Sequence, residues 1–357
     1  MQIVDYYARP ATALFGGVNS SRFELVSALQ SHSKFDVMVI DAIGGYQSVR
    51  IPGIRYQALD HLFERHALMI PIGITKYLKK SNFVILHEGW NLGNLFVALI
   101  CRTIKVPYFV IPHGVYDPKI VSGLRFKKIR SIFESSLLRG ASFVNVFFES
   151  EQTHIHTIAR SANTVVAPNG ASNLWTRYKW VGGGDYVYFA GRLDVNHKGL
   201  DILLRAWSEI ETPITLILQG QDFFEGVAKL ENLILELNLS DKVLLLPHAS
   251  HEEIMLKVEK CVFFAHISRW EAFGRSVVDA VSIGTPCLIS TAMNIASTPG
   301  AAGVMEIVPL EHSKVVEGIR KLLTQDRSEI NSTTKIDWVK STFNWEKTVE
   351  TLKSKMQ

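Results

Sequence analysis

The stretch SRWEAFGRSVVDAVSIGTP, residues 268–286, places two carboxylates where a ligand could meet them. Glu271 follows an apolar run and precedes a Phe-Gly pair, whereas Asp279 falls about two turns into the next apolar stretch. A helix that begins near Gly274 would direct backbone N–H groups toward an anion or an oxygen-rich ligand. Ionised carboxylates only accept hydrogen bonds, which suits them to hydroxyl groups. The pattern indicates a site for a hydroxyl-rich ligand; the alternative is an acid that only complements a helix dipole beside a solvated Asp279.

A second stretch, FAGRLDVNHKG at residues 189–199, joins the end of an apolar run to two cations. Arg192 and Lys198 flank a turn that precedes a helical pattern starting near Leu200. Cationic side chains and backbone N–H groups that converge at the end of a strand form a good site for phosphate. The stretch therefore predicts a phosphate or diphosphate site, with a solvated basic loop as the alternative.

Two stretches in the first half of the chain could contribute to such a site. Gly16 and Gly17 precede a helical pattern and would let the backbone approach a phosphate, although a simple turn explains the pair equally well. His113 ends the apolar run of IPHGVYDP. A histidine there can bind an oxyanion, donate a proton or bond a backbone group.

A basic, amphipathic stretch occupies residues 123–139. Its apolar residues recur at helical spacing, and a helix of this kind could lie on an anionic membrane or receive a lipid diphosphate. The alternative is a solvated helix face. The cations are Arg125, Lys127, Lys128 and Arg130.

The elements that must position these residues follow from an alternation of strand-like apolar runs with helical patterns, which predicts βαβ units and parallel sheets. The first series of strands is FDVMVID, NFVILHE, PYFVIPHG, FVNVFFES and TVVAPNG; the second is YVYFAGRL, ITLILQGQ, KVLLLPHA, CVFFAHI, PCLIST and VMEIVPL. A polar, glycine-rich break at 168–184 separates them. We therefore predict an α/β chain of two Rossmann-like domains facing each other across a cleft, with ligands at the carboxyl ends of the strands.

The predicted domains are a first Rossmann-like domain at 1–170, a second at 171–336, and a C-terminal helix at 337–357 that packs back on the first domain. A length of 357 residues suits two domains, and 47% hydrophobic with 20% charged residues excludes a disordered chain.

The charge and the cysteines narrow the classes of function. A net charge of +4 permits an anionic ligand or membrane surface and does not indicate nucleic acid. Three cysteines without paired spacing predict small buried thiols in a reducing compartment. The first residues lack the pattern of a signal peptide, so a cytoplasmic location is expected.

Taken together, these stretches resemble the retaining glycosyltransferases of family 4, which have the GT-B fold. The resemblance extends over nearly the whole chain, and it implies that the domain at 1–170 binds the acceptor and the domain at 171–336 binds the nucleotide-sugar donor. The motifs that carry it are Gly16-Gly17, P-H-G at His113, P-N-G at Asn169-Gly170, G-R-L and K-G at Arg192 and Lys198, Gly220 after I-L-Q, and E-x-F-G with G-T-P across 271–286.

The resemblance implies a role for each matching residue. Arg192 and Lys198 are expected to bind the donor diphosphate, and Glu271 the donor sugar. The family has a second glutamate where this chain has Asp279, so the shorter side chain is expected to face the nucleotide ribose. His113 is expected beside the reaction centre as a hydrogen-bond donor to the sugar or phosphate. The remaining donor contacts are expected from Gly16, Gly17, Phe273, Gly274 and Arg275.

The expected function is retaining transfer of a hexose from a nucleotide sugar, UDP-glucose first and GDP-mannose next, to a saccharide or lipid-linked acceptor of a polysaccharide or glycolipid. No Asp-x-Asp occurs in the sequence, so fixed cations and helix dipoles are expected to stabilise the leaving diphosphate without a metal or other cofactor. The acceptor implies a place at the inner face of the plasma membrane. The alternatives are a sugar-nucleotide epimerase of the same fold and a non-catalytic scaffold that binds nucleotide sugars.

Overall fold

The computed structural model describes residues 1–10, 17–32, 34–42, 51–63 and 65–357. They divide into two compact units, one comprising Met1–Gly170 with Trp345–Gln357 and the other Ala171–Asn344. Each unit contains a parallel β-sheet with helical connections. The prediction of two Rossmann-like α/β domains is therefore confirmed.

The sheet of unit 1 has the strand order β3-β2-β1-β4-β5-β6-β7. Its strands are β1 (Gln2–Pro10), β2 (Asp36–Ala42), β3 (Arg55–Leu59), β4 (Phe83–His87), β5 (Tyr108–Ile111), β6 (Phe143–Val146) and β7 (Thr164–Val166). Its connecting helices are α1 (Gly17–Ser31), α2 (Thr75–Leu78), α3 (Leu92–Ile104), α4 (Pro118–Ser122), α5 (Lys127–Gly140) and α6 (Glu149–Ile158). β4, β5 and β6 consist of buried residues throughout, as expected of parallel strands covered on both faces.

The sheet of unit 2 has the order β10-β9-β8-β11-β12-β13. Its strands are β8 (Tyr186–Ala190), β9 (Thr215–Gln219), β10 (Val243–Leu246), β11 (Phe264–His266), β12 (Cys287–Ser290) and β13 (Glu306–Val308). Its helices are α7 (Leu200–Trp207), α8 (Gly226–Glu236), α9 (His251–Lys260), α10 (Arg275–Ser282), α11 (His312–Thr324) and α12 (Ser332–Thr342). In α7, Leu200, Leu203, Leu204 and Trp207 recur at helical spacing and join the core of this unit.

The strand order reverses at one place in each sheet, between β1 and β4 in unit 1 and between β8 and β11 in unit 2. Right-handed crossovers on the two sides of such a point lie on opposite faces of the sheet, so the loops that follow these strands diverge there. The crevice left at the carboxyl ends of the strands is the usual ligand site of doubly wound folds.

The last helix, α13 (Trp345–Met356), belongs to unit 1. The Trp345 indole lies against Gly170 and donates to Glu24 Oε2 at 3.3 Å, while Thr348 Oγ1 donates to Pro168 O at 2.6 Å. An apolar face that includes Val349 and Leu352 is buried.

The boundary before this helix differs from the predicted one. The prediction assigned 337–344 to the C-terminal segment, whereas the structure keeps these residues in unit 2. Trp338 Nε1 donates to Pro299 O at 2.8 Å, and the Phe343 ring packs against Phe273 at 5.3 Å. Phe343 is buried and Trp338 is half-buried within unit 2, which the helical spacing of the sequence did not reveal.

Cys101, Cys261 and Cys287 are buried free thiols. The prediction of small buried side chains at these positions is confirmed.

Glycines allow two loops of unit 2 to pack backbone against backbone. A Cβ added to Gly220 would overlap the carbonyl oxygen of Gly191, and one added to Gly226 would overlap that of Leu193. Leu193 N donates to Gln221 O at 2.8 Å across the same contact. The loop after β9 thus supports the loop after β8, which carries Arg192.

Replacing Gly220 by Ala should force these loops apart, because the added methyl group meets backbone atoms that cannot rotate away. We expect the free energy of unfolding to fall by about 1–3 kcal/mol in urea denaturation followed by circular dichroism. Gly183→Ala is the matched control, since a Cβ at Gly183 meets nothing within 4 Å and should change the value by less than about 0.5 kcal/mol. Equal stability of the two variants would contradict the packing role of Gly220.

Candidate active site

The candidate site of unit 2 lies where the strand order reverses. The loop after β8, residues 191–199, and the loop after β11, residues 267–274, start from neighbouring strands at this point. Gly199 has φ +65° and packs so closely on the backbone of Ile267 that a Cβ would overlap the Ile267 carbonyl oxygen. The two stretches singled out in the sequence are therefore in direct contact.

Glu271 is held by side chains from both loops. Lys198 Nζ forms an ion pair with Glu271 Oε1. His266 Nε2 lies 3.2 Å from the same oxygen, and Ser268 Oγ donates to it at 3.3 Å. His197 Nε2 is 3.9 Å away. One carboxylate oxygen is thus surrounded by a cation and polar hydrogens, which fixes the direction of the side chain.

These neighbours keep Glu271 ionised. Burial raises the pKa of its carboxyl, but Lys198 and the two histidines act more strongly in the opposite direction and hold this pKa well below its usual range. An ionised carboxylate can accept hydrogen bonds and cannot donate a proton at neutral pH. The geometry therefore suits Glu271 to binding hydroxyl groups and not to general acid catalysis.

His197 helps to fix the loop that carries Lys198. Its ring stacks on Trp270 with centroids 4.2 Å apart, and its Nε2 lies 2.9 Å from Trp270 O. Burial, with the charge of Lys198 acting in the same direction, lowers the pKa of His197 to about 4. A neutral ring at pH 7 donates from Nε2 to the Trp270 carbonyl, which ties the two loops together.

Arg192 has a different environment from Lys198. Its guanidinium lies over the Phe223 ring at 4.6 Å from the centroid, and the side chain is exposed. The structure brings Lys198 and Glu271 into contact and leaves Arg192 on the outer part of the same loop. An exposed cation on a long side chain can reach a diphosphate without first breaking a buried ion pair.

The start of α10 carries the other predicted residues. Gly274 adopts φ +76° immediately before the helix, and Phe273 is buried. Arg275 Nη2 donates to Ser172 Oγ at 2.7 Å. The first residues of α10 are therefore fixed by a left-handed backbone position and a side-chain bond to another segment of unit 2.

Asp279 is buried, with an exposed fraction of 5%. Its two carboxylate oxygens lie 3.4 Å from Arg275 Nε and 3.2 Å from His251 Nε2. The solvated alternative for Asp279 is thus wrong, and the side chain forms a small cluster of charged and polar groups with Arg275 and His251. His251 is exposed on the solvent side of this cluster.

His113 and Gly17 lie in unit 1. His113 follows β5 with φ +52°, and its Nε2 is 2.9 Å from His87 Nδ1. Gly17 is the first residue of α1 and is exposed. Gly16 lies outside the described residues.

Several polar residues near the candidate site of unit 2, and others in unit 1, were not predicted from the sequence. His266 and Ser268 end the apolar run CVFFAHIS, and polar side chains at the end of a buried strand are a signal that could have found them. In unit 1, Asp5 and His87 likewise interrupt apolar strands. Only the fold brings them together, because β1 and β4 are adjacent in the sheet but distant in sequence.

The described residues contain no group of three or more His, Cys, Asp or Glu side chains arranged to hold a metal ion. None of the described helices is long and apolar enough to cross a bilayer.

Residues 177–336, which contain these loops, match the family model of glycosyl transferases group 1. The matched residues make up less than half of the chain. The group 1 region covers β8 to β13 and includes Arg192, Lys198, Glu271 and Asp279.

Curated relatives cover parts of the chain. It is 27% identical over 280 residues to mannosylfructose-phosphate synthase of Agrobacterium fabrum, across 68% of this chain and 62% of that protein. It is 35% identical over 99 residues to the Campylobacter jejuni N-acetylgalactosamine-N,N'-diacetylbacillosaminyl-diphospho-undecaprenol 4-alpha-N-acetylgalactosaminyltransferase, across 27% of this chain and 25% of that protein. The aligned part of the chain thus spans less than two thirds of the length of either relative.

Solved structures match the whole fold. Sucrose-phosphate synthase from Thermosynechococcus elongatus superposes with a TM-score of 0.78 at 18% identity, over 99% of this chain and 98% of that one. Anabaena HepE in complex with UDP and glucose gives a TM-score of 0.78 at 17% identity over the same shares. The chain therefore has the GT-B fold, as predicted.

Lys198→Met should destabilise the protein, because it removes the cation that compensates the partly buried Glu271 carboxylate. We expect the free energy of unfolding at pH 7 to fall by about 3 kcal/mol in urea denaturation. Adding Glu271→Gln to this variant should restore much of the loss, since a neutral amide needs no counter-charge. If K198M and the double variant are equally stable, Lys198 does not balance the charge of Glu271.

The contribution of this pair should also depend on pH. The pKa of Glu271 is lower in the folded protein than its unfolded value of about 4.5, so the stabilisation is complete above that pH and is lost as the pH falls below it. The difference in unfolding free energy between wild type and K198M should therefore shrink in acid. A difference that stays constant from pH 7 to pH 3.5 would contradict this assignment.

Proposed function

We propose that this chain is a retaining, metal-independent glycosyltransferase that moves a hexose from a nucleotide sugar to a saccharide or lipid-linked acceptor. The observation that carries the proposal is the Lys198–Glu271 pair, built from two loops at the strand-order reversal of a group 1 domain. A cation and an ionised carboxylate side by side match the two ends of a sugar diphosphate, one anionic and one rich in hydroxyl groups.

The donor diphosphate is proposed to bind Lys198 and Arg192, with the first amides of α10 around Phe273, Gly274 and Arg275 facing the sugar or diphosphate. Fixed cations and helix-terminal N–H groups stabilise the negative charge that develops on the leaving diphosphate. Glu271 accepts hydrogen bonds from sugar hydroxyls. Asp279, which already contacts Arg275, is proposed to lie near the nucleotide ribose.

The chemical step is proposed to occur on one face of the sugar. The bond from the anomeric carbon to the diphosphate oxygen breaks, and the acceptor oxygen forms its bond on the same face. The leaving phosphate takes the acceptor proton, so the step needs no protein nucleophile. This agrees with Glu271 being held ionised and directed by His266 and Ser268.

A UDP-hexose, UDP-glucose in particular, is the proposed donor, with GDP-mannose as the second candidate. The name of the Campylobacter jejuni relative describes a diphospho-undecaprenol acceptor. A lipid-linked acceptor of that chemical class is accordingly proposed for this chain.

Donor binding should be detected by calorimetry against UDP, GDP, ADP and their sugar conjugates, with and without EDTA. We expect one nucleotide sugar to bind selectively and to keep its affinity after chelation. Glu271→Gln should lower the rate of glycosyl transfer by about 100-fold or more while the affinity for the free nucleoside diphosphate changes little, because the carboxylate acts on the sugar.

Three outcomes would contradict parts of this proposal. Affinity that disappears with EDTA would overturn metal independence. A product formed from the nucleotide sugar without any acceptor would favour the epimerase. Binding without turnover across a panel of saccharide and lipid-linked acceptors would favour the scaffold.

A membrane surface is proposed for α5. Phe126, Ile129, Ile132 and Phe133 form an exposed apolar strip along the start of this helix, with Phe126 76% and Ile132 69% exposed. Glu134, Leu137 and Leu138 of the same helix are buried in unit 1.

Exposed cations surround this strip, namely Arg125, Lys127 and Lys128. A solvated helix face does not require four large apolar side chains, whereas an apolar strip with a basic border fits the interface of an anionic bilayer. The surface would place a lipid-linked acceptor close to unit 1.

The double variant Ile129→Ser/Ile132→Ser should bind vesicles containing anionic phospholipid at least about tenfold more weakly in sedimentation, because two buried aliphatic side chains are lost from the bilayer interface. Leu235→Ser, at a 66% exposed position of α8, is the matched control and should bind like wild type. Equal binding of all three proteins, or equal binding to zwitterionic vesicles, would contradict the proposal.

A further inference from the structure

The loop after β9, residues 220–226, is fixed against the loop that carries Arg192. These loops follow neighbouring parallel strands, and an isolated parallel bridge joins Leu193 to Asp222. The glycines at the two ends of the β9 loop pack directly on backbone carbonyl oxygens of the Arg192 loop, as described above. The two loops therefore form one rigid surface at the carboxyl ends of β8 and β9.

The backbone of the β9 loop is strained. Phe224 and Glu225 have φ +52° and +59°, so two successive residues with a Cβ are in the left-handed region. Residues other than glycine adopt this region at a cost and only where the surrounding structure requires it. Asp222 Oδ1 accepts a hydrogen bond from Val227 N at 3.0 Å, and Lys229 Nζ donates to Phe224 O at 2.6 Å. These bonds hold the strained turn in one conformation.

The side chain that this turn places beside Arg192 is Phe223. The central guanidinium carbon of Arg192, Cζ, lies over the Phe223 ring at 4.6 Å from its centroid. The phenylalanine is half-buried, whereas the arginine is exposed. A cation at this distance is attracted by the negative face of the ring. The loop after β9 thus supplies an aromatic surface for the cation that the loop after β8 carries.

A neutral partner suits a cation that must bind an anion. A long arginine side chain loses rotamer freedom when it binds a ligand, and a partner that restrains it beforehand reduces that loss. A carboxylate would also restrain the arginine, but it would repel a diphosphate and would have to be displaced. Lys198 has such a partner in Glu271. The Phe223 ring restrains Arg192 without adding negative charge.

We propose that Phe223 is a positioning residue that holds the Arg192 guanidinium ready for the diphosphate group of the donor. The inference rests on the proposed donor site, all of whose residues used here lie in unit 2. It adds a residue outside the motifs that carry the family resemblance. Phe223 acts through Arg192, and the strained turn after β9 serves to present its ring.

Binding of inorganic pyrophosphate tests the inference without any assay of transfer, because this probe contains the diphosphate and neither base nor sugar. We expect the full chain to bind it in calorimetry with EDTA present. Arg192→Ala should weaken binding at least about tenfold, since a charge-assisted contact is lost. Phe223→Leu should weaken it about three- to fivefold, since Arg192 keeps its charge and loses its restraint.

Three further variants separate positioning from a general effect on the loop. Phe223→Tyr keeps an aromatic face and should bind within about twofold of wild type. The double variant Arg192→Ala/Phe223→Leu should bind no more weakly than Arg192→Ala alone, because the ring acts only through the guanidinium. Phe224→Leu, the same change at the neighbouring 76% exposed position, is the control and should alter the affinity by less than about twofold.

The outcomes separate this inference from the proposed function. If Arg192→Ala loses affinity and Phe223→Leu does not, the positioning role is overturned and the donor site stands. The same holds if the loss in Phe223→Leu adds in full to that of Arg192→Ala, or equals that of Phe224→Leu. Pyrophosphate that fails to bind the wild type, or binds Arg192→Ala equally well, contradicts the donor site and the inference with it. Should Phe223→Leu fail to fold, Phe223→Met removes the ring and decides the same comparison.

Discussion

Both units depend on one constraint, which is that a carboxylate removed from water must be paired. Asp5 in unit 1 is fully buried and Glu271 in unit 2 is partly buried, each where the strand order of its sheet reverses, and each has one dominant cation, Arg22 or Lys198. An unpaired charge in such a position costs several kcal/mol. The loop or helix that carries the cation can therefore pack stably only when the ion pair forms. The ion pair therefore fixes the elements around it as much as they fix the ion pair.

The two pairs differ in what they leave available to a ligand. Arg22 has two carboxylate partners and further bonds to backbone carbonyls, so all of its donors are directed into unit 1. Lys198 is bonded to a single carboxylate at a loop that also carries the exposed Arg192. Breaking the first pair would separate a helix from two strands, whereas the second can be rearranged within two loops. Only the second arrangement suits the proposed donor site, in which the ion pair would be exchanged for contacts with a diphosphate.

Much of the fold could be predicted because buried parallel strands are short, continuous apolar runs. β1 and β3 were not among the predicted strands: β1 contains Asp5 within a run that also includes tyrosines and ends in Arg-Pro, and β3 is an edge strand with the mixed sequence RYQAL. Lys198 and Glu271 could be predicted because each occurs in a local motif. Their contact, and the roles of His266 and Asp5, depend on which strands are neighbours, and no local pattern specifies that.

The same reasoning explains why the role of a histidine cannot be taken from its motif alone. The P-H-G motif places His113 just after β5. Whether one of its ring nitrogens donates or accepts a hydrogen bond depends on the hydrogen bonds of the other. His113 Nε2 contacts His87, and His87 in turn contacts Asp5. Asp5 forms an ion pair with Arg22, which lies on another element. A change at Arg22 or Asp41 would therefore alter the hydrogen bonds of His87 and His113 as well. The chemistry of this position is thus a property of the whole buried cluster.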